Sequence, residues 1–256
     1  METLYPLADA AASVVLIQVL IQTFVLAGTP REGCTYLPQA VIFDMDGMLT
    51  DSEPLWRIAS VEVLNGMGVP LTEEDAVATT GLRTDELVET WQRTYPWTEP
   101  PRKVVEAMIE ARVMDLIRER SVPNPGVLDA LAALRAAGYP LAIASSSASE
   151  VIRVVLETLG IEHYFSIVQS AEHEPFGKPH PAVYIEAARA LGAPAVECVA
   201  FEDSPNGVIA AKAARMRCVA VPDPALIDDR RFLAADLRLS SLTEFRLEML
   251  DLLGQD

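Results

Sequence analysis

Five short apolar runs, at residues 39–43, 139–144, 165–169, 196–201 and 217–221, are separated by stretches of helical periodicity, and this alternation leaves few folds open. Their apolar residues stand next to one another rather than at every second position. Such a strand is covered on both faces, which is the situation of a parallel sheet. The intervening segments carry helix signals. Val127, Leu128, Leu131 and Leu134 fall at helical spacing over 126–137, and Gly138 ends that stretch. Helical patterns over 149–159 and 181–191 are closed by Gly160 and Gly192, and Pro181 stands in the first turn of the second. A further helix is predicted over 206–214. Strand, helix and strand in this order make βαβ units and an α/β fold with a parallel sheet. Residues 54–122 break the rhythm. They read as helical, with Trp91, Tyr95, Pro96, Trp97, Pro100 and Pro101 in the middle and no comparable strand run. A helical insert after the first strand is predicted, with Trp91 and Trp97 in its core.

The chain of 256 residues suits one large domain or one domain with an insert. Its net charge of −17 opposes binding to nucleic acid or to an anionic membrane surface. An anionic substrate would be repelled too, so a phosphate site here needs local cations. Cys34, Cys198 and Cys218 have no metal-binding spacing; the last two lie in apolar runs and read as small buried hydrophobes. A reducing, cytoplasmic setting and a monomer are expected. Residues 10–28 are nearly all apolar and about long enough to cross a bilayer, yet no Lys or Arg precedes them. Residues 1–38 are therefore set apart as an apolar extension, with a membrane anchor, a packed helix and an upstream start codon all open; a membrane partner is not expected.

The chemistry collects where strands end. Asp44-Met45-Asp46-Gly47 follows the first run directly. Two carboxylates two positions apart on an extended segment point to one side and repel unless a cation or proton settles them. In an open α/β sheet, ligands bind beyond the carboxyl ends of the strands. Ser145, Lys178 and Glu202-Asp203 follow later strands at that same edge. One nucleophile (Asp44), one acid/base (Asp46), one hydroxyl, one lysine and one further carboxylate suit phosphoryl transfer with Mg²⁺ held by Asp44 and Asp203. Ser145 would donate to a phosphoryl oxygen, and Lys178 would add fixed positive charge. Structural readings stand beside these: a helix cap at 145–147, and acids at 202–203 that suit the start of the helix at Asn206. His163, His173 and His180 have no partner at ligand or triad spacing.

Residues 43–53 (FDMDGMLTDSE), Ser145, Lys178-Pro179 and 202–207 (EDSPNG) together resemble the four motifs of the haloacid dehalogenase-like hydrolases, in order and spacing, from residue 39 to the end. The resemblance implies a Rossmann-like core over 39–53 and 123–256, a helical cap over 54–122, and Mg²⁺-dependent phosphoryl transfer through an aspartyl-phosphate. It places the metal on Asp44, the Asp46 carbonyl and Asp203, with Glu202 in support, and the phosphoryl group on Ser145, Ser146 and Lys178. Residues 51–56 (DSEPLW), Gly81-Leu82-Arg83 and 212–217 (KAARMR) look like phosphatases of 2-deoxyglucose 6-phosphate and hexitol phosphates, with Arg83 where relatives hold a substrate group. A small phosphorylated sugar is the implied partner. A β-phosphoglucomutase-like mutase is the alternative. That type has a histidine where Trp56 stands, and the departure favours hydrolysis. Gly177 replaces a residue that is often polar in relatives.

Overall fold

The computed structural model describes residues 38–223 and 226–253. The apolar stretch 10–28 lies outside the described residues; among those described, no helix is long and apolar enough to cross a membrane. Six strands form one sheet: β1 (Ala40–Phe43), β2 (Leu141–Ser145), β3 (Ile167–Ser170), β4 (Cys198–Glu202), β5 (Arg217–Ala220) and β6 (Leu237–Arg238). Their order is β3-β2-β1-β4-β5-β6 and every pairing is parallel. β6 is too short, at two residues, to leave a sequence signal. The other strands lie within two residues of the apolar runs.

The two faces of the sheet differ, and pleat alternation is the reason. Val41, Phe43, Leu141, Ile143, Val199, Phe201 and Val219 point to one side; Ala40, Ile42, Ala142, Ala144, Cys198, Ala200, Cys218 and Ala220 point to the other. The small-residue side packs on α7 (Ala182–Ala190) and α8 (Pro205–Ala213) through Val183, Tyr184, Ala187, Val208 and Ala211. The large-residue side meets α5 (Val127–Ala136) and α6 (Ser149–Leu159). Phe43 stacks on Phe201 with ring centroids 4.7 Å apart at the centre of that layer.

Between β1 and β2 the chain runs through α1 (Glu53–Gly66), α2 (Glu73–Ala76), α3 (Thr84–Thr94) and α4 (Arg102–Arg120), with no strand among these residues. Their apolar faces close on each other through Leu64, Val88, Trp91, Val105, Ile109, Val113 and Leu116; Trp97 packs against them partly buried. The fold is thus a Rossmann-like parallel sheet with a helical cap inserted after its first strand. Phe43 stands opposite Ile143 and Phe201 across the neighbouring strands. Chain direction reverses its crossover sense at β1, so a crevice opens beyond its carboxyl end.

Candidate active site

Asp44 is the first residue past β1, fixed by its own N–H donating to the Phe201 carbonyl at 2.9 Å. The Lys178 ammonium lies 2.8 Å from Asp44 Oδ1 and 2.7 Å from Glu202 Oε1. Tyr184, from α7, donates its hydroxyl to Glu202 Oε1 at 2.6 Å, while the Ser204 N–H and hydroxyl both donate to Oε2 at 3.2 Å. Asp44, Lys178, Glu202 and Asp203 are all buried. Burial raises the Asp44 carboxyl to about 7, with the Glu202 charge adding and Lys178 opposing. Burial alone would depress the Lys178 ammonium; the Asp44 and Glu202 carboxylates reverse that and hold it charged. Asp203 is pushed well above the usual carboxylate range by burial, then by Asp44 and Glu202.

With its acids ionised, this cluster would carry more negative than positive charge. One ammonium faces three carboxyl groups, and one ligand oxygen from each of Asp44, Glu202 and Asp203 lies within 4.8 Å of the others. Asp203 Oδ1 is buried and has no hydrogen-bond partner among the described residues. A buried carboxylate oxygen without a donor is costly in a protein alone and fits a hard cation. Two glycines make room for these acids. A Cβ on Gly47, whose φ is +73°, would fall 2.0 Å from Asp203 Oδ2, and one on Gly207 would fall 1.7 Å from Glu202 Oε1.

Asp46 is enclosed by donors. Oδ1 accepts from the Ser52 hydroxyl at 2.6 Å and the Trp56 indole N–H at 3.1 Å; Oδ2 accepts from Ser147 at 2.6 Å and, at 3.4 Å, from Ser145. Asp44, Asp46, Lys178 and Asp203 line one cavity of about 40 Å³ with Ser146, Ser147, Ser204, Glu53 and cap residues. At roughly 10–15 Å³ per enclosed water, that is room for about three.

Five of the expected site residues, Asp44, Asp46, Ser146, Lys178 and Asp203, therefore share one cavity, and Ser145, Glu202 and Arg83 do not line it. Ser145 is fully buried and absent from the lining; its hydroxyl accepts from the Ser147 N–H at 3.0 Å. The loop beyond it brings Ser146 and Ser147 to the cavity, while the Ser145 hydroxyl reaches Asp46 Oδ2 from behind that lining at 3.4 Å. The Ser146 hydroxyl is buried without a partner among the described residues, which makes it available to a ligand oxygen. Glu202 was expected as a metal support. Each of its oxygens accepts two donors, one pair including Lys178, so it anchors the lysine while staying within 4.8 Å of the Asp44 and Asp203 ligand oxygens. Arg83 was expected to hold substrate and does not line the cavity. Its guanidinium forks onto Asp85 at 2.6 and 2.7 Å and donates to the Ala171 and Glu174 carbonyls at 3.1 and 2.7 Å. It ties the cap to the loop after β3. Gly177 lies at the same contact, where its N–H donates to Glu86 at 3.4 Å and a Cβ would come 3.2 Å from that carboxylate.

Arg83→Ala removes charge-assisted bonds worth about 1.5–3 kcal/mol. Amide hydrogen exchange across α3 is expected to quicken roughly 10-fold or more, while the sheet amides keep their protection. Unchanged exchange in α3 would show that the tie carries no energy.

Sequence reasoning passed over Glu53, Tyr184, Ser52 and Ser147. The first residue of α1, Glu53 is buried in the cavity wall, and burial followed by the Asp46 charge pushes its carboxyl up to about 8. The sign of the resulting pH dependence is fixed. The native protein holds a proton that the unfolded chain gives up near 4.5, so this group's contribution to stability falls from about pH 4.5 to about pH 8 and then levels. In metal-free protein, Glu53→Gln is expected to melt like the native chain near pH 5 and higher than it at pH 9, by an amount worth a few kcal/mol at most. Coincident melting curves at pH 9 would show that the burial cost is relieved in another way.

The model of the haloacid dehalogenase-like hydrolases matches residues 38–215. Hexitol phosphatase B of Escherichia coli K12 is 44% identical over 216 residues, 84% of this chain and 96% of that protein. A fructose-1-phosphate phosphatase of the same organism is 32% identical over 182 residues, 71% of this chain and 95% of its own length. Among solved structures, CbbY from Rhodobacter sphaeroides in complex with phosphate superposes with a TM-score of 0.78 at 28% identity, covering 84% of this chain and 100% of the other.

Proposed function

Since the chain belongs to the haloacid dehalogenase-like hydrolases, we propose that it is a Mg²⁺-dependent phosphatase of small sugar phosphates, of the hexitol phosphate and 2-deoxyglucose 6-phosphate type, working in the cytoplasm through an aspartyl-phosphate on Asp44. The observation that carries this reading is the meeting, in one cavity, of an Asp44–Lys178 ion pair with two buried polar atoms that lack partners, Asp203 Oδ1 and the Ser146 hydroxyl. One suits a cation and the other a phosphoryl oxygen. The hexitol phosphatase relative supports the substrate class.

Asp44, the Asp46 carbonyl and Asp203 would hold Mg²⁺, which when bound offsets the charge of these acids and of the phosphate. Lys178 favours the ionised form of Asp44 and aims it, and adds a second positive charge beside the phosphoryl oxygens. Ser146, with Ser147 at its side, donates to one of those oxygens. Asp44 attacks phosphorus as a carboxylate. Asp46 gives a proton to the departing alkoxide, then takes one from the water that cleaves the acyl-phosphate. The cage of hydroxyl and indole donors holds Asp46 in place for both steps. Residues 54–122 act as a cap whose closure leaves little free space and so excludes bulk water.

The reading is tested by phosphate release from hexose, hexitol and pentose phosphates with Mg²⁺ and with chelator. Release with Mg²⁺ that chelator abolishes is expected. Absence of release from every ester would end the phosphatase reading, and release that is insensitive to chelator would end the metal assignment.

A further inference from the structure

The walls of the cavity are unequal in what they offer a substrate. The phosphoryl end has Asp44, Lys178, Asp203 and Ser146. The cap end is built from Trp56, Thr79, Gly81, Leu82 and Leu87. The polar groups of those side chains are already engaged. Trp56 donates to Asp46 at 3.1 Å, and the Thr79 hydroxyl donates to the Ala76 carbonyl at 3.0 Å and accepts from Trp91 at 3.3 Å. A sugar carries a hydroxyl on nearly every carbon, and each one buried without a partner costs affinity. One side chain at this end remains free to meet such a group. Glu53 is 6% exposed, lines the cavity, and accepts no hydrogen bond from a described residue. It shares the cavity lining with Asp46, the group that would give a proton to the alkoxide.

On the phosphatase reading above, we propose that Glu53 is a specificity-determining residue that hydrogen-bonds a hydroxyl of the sugar portion of the substrate. Its place fits that use. It begins α1, where the chain passes from the core into the cap, with Pro54 behind it in the first turn. Pro54 restricts the main chain there, and the side chain lines the cavity from the junction of core and cap. A carboxyl can accept from a sugar hydroxyl and, when protonated, donate to one as well. The remaining wall of Leu82 and Leu87 then packs on the carbon skeleton.

The test compares two esters in the Mg²⁺-loaded protein: a hexitol 6-phosphate, and p-nitrophenyl phosphate, whose leaving group has no hydroxyl for Glu53 to bind. For Glu53→Leu, kcat/KM on the hexitol phosphate is expected to fall roughly 10–100-fold, the usual cost of one lost hydrogen bond in a site built for it. Hydrolysis of p-nitrophenyl phosphate is expected to stay within about 3-fold of native. Glu53→Gln, which still accepts and donates, is expected to recover most of the hexitol activity. Glu53→Ala serves if the leucine variant does not fold. Equal losses on both esters, a raised Mg²⁺ requirement, or no loss on either would overturn the assignment. A native chain inactive on both esters would instead overturn the phosphatase reading, and this inference with it.

Discussion

Asp44→Asn is expected to fold normally and to lose turnover by roughly 10⁴-fold or more, the scale seen when a covalent nucleophile is removed. An amide cannot attack phosphorus to form the acyl-phosphate that water then cleaves. The fold should tolerate the change because Lys178 retains Glu202 at 2.7 Å and Glu202 retains Tyr184 at 2.6 Å. The substitution also removes one of the acids that burial makes costly; the Asp44 carboxyl is raised to about 7 in the native protein. Single-turnover mixing with labelled sugar phosphate, followed by acid quench, gives the decisive readout. The native chain should trap label on protein and the variant should not. A variant that keeps its steady-state rate would refute covalent catalysis at Asp44.

Asp46→Asn is expected to slow turnover by roughly 10²–10⁴-fold, the share that a positioned acid/base supplies. The environment of Asp46 allows the amide to sit where the carboxylate did. The Trp56 indole can only donate, so the amide oxygen must face Trp56 and Ser52, and its NH₂ then faces Ser147 and Ser145, whose hydroxyls can turn to accept. Melting temperature should therefore change little while rate falls. The loss should also depend on the leaving group. p-Nitrophenolate departs without a proton, so formation of the acyl-phosphate from p-nitrophenyl phosphate should be slowed far less than formation from a sugar phosphate. Equal slowing of that first step on both esters would place the acid/base role elsewhere.

Both predictions depend on residues that could be picked from the chain itself, and the reason is local. A strand buried on both faces must be apolar along its length, so β1, β2, β4 and β5 announce themselves, as do the acids and the serine at their ends. The insert is equally plain, because helical periodicity simply replaces strand runs over 54–122. β6 escaped because two residues carry no period. The residues surrounding the expected site were harder. Tyr184 lies on α7 among apolar neighbours and looks like core, and only folding places its hydroxyl on Glu202. Glu53 looks like an ordinary acid in the first turn of a helix, where the dipole favours one. Ser145, Ser146 and Ser147 are indistinguishable in one dimension; the pleat and the turn after β2 decide that the first is buried and the next two face the cavity.

The sequence by itself determined the α/β class, the place of the insert and the acids and lysine at one rim of the sheet, because hydrophobic period and motif order are properties of neighbouring residues. Tertiary structure alone decided which oxygen meets which donor. It joined Arg83 to the Ala171 and Glu174 carbonyls, set Lys178 on Glu202, and brought Ser147 to Asp46 across 101 residues of chain. Those pairings arise from strand register and helix packing between distant segments, and a one-dimensional pattern holds no record of them.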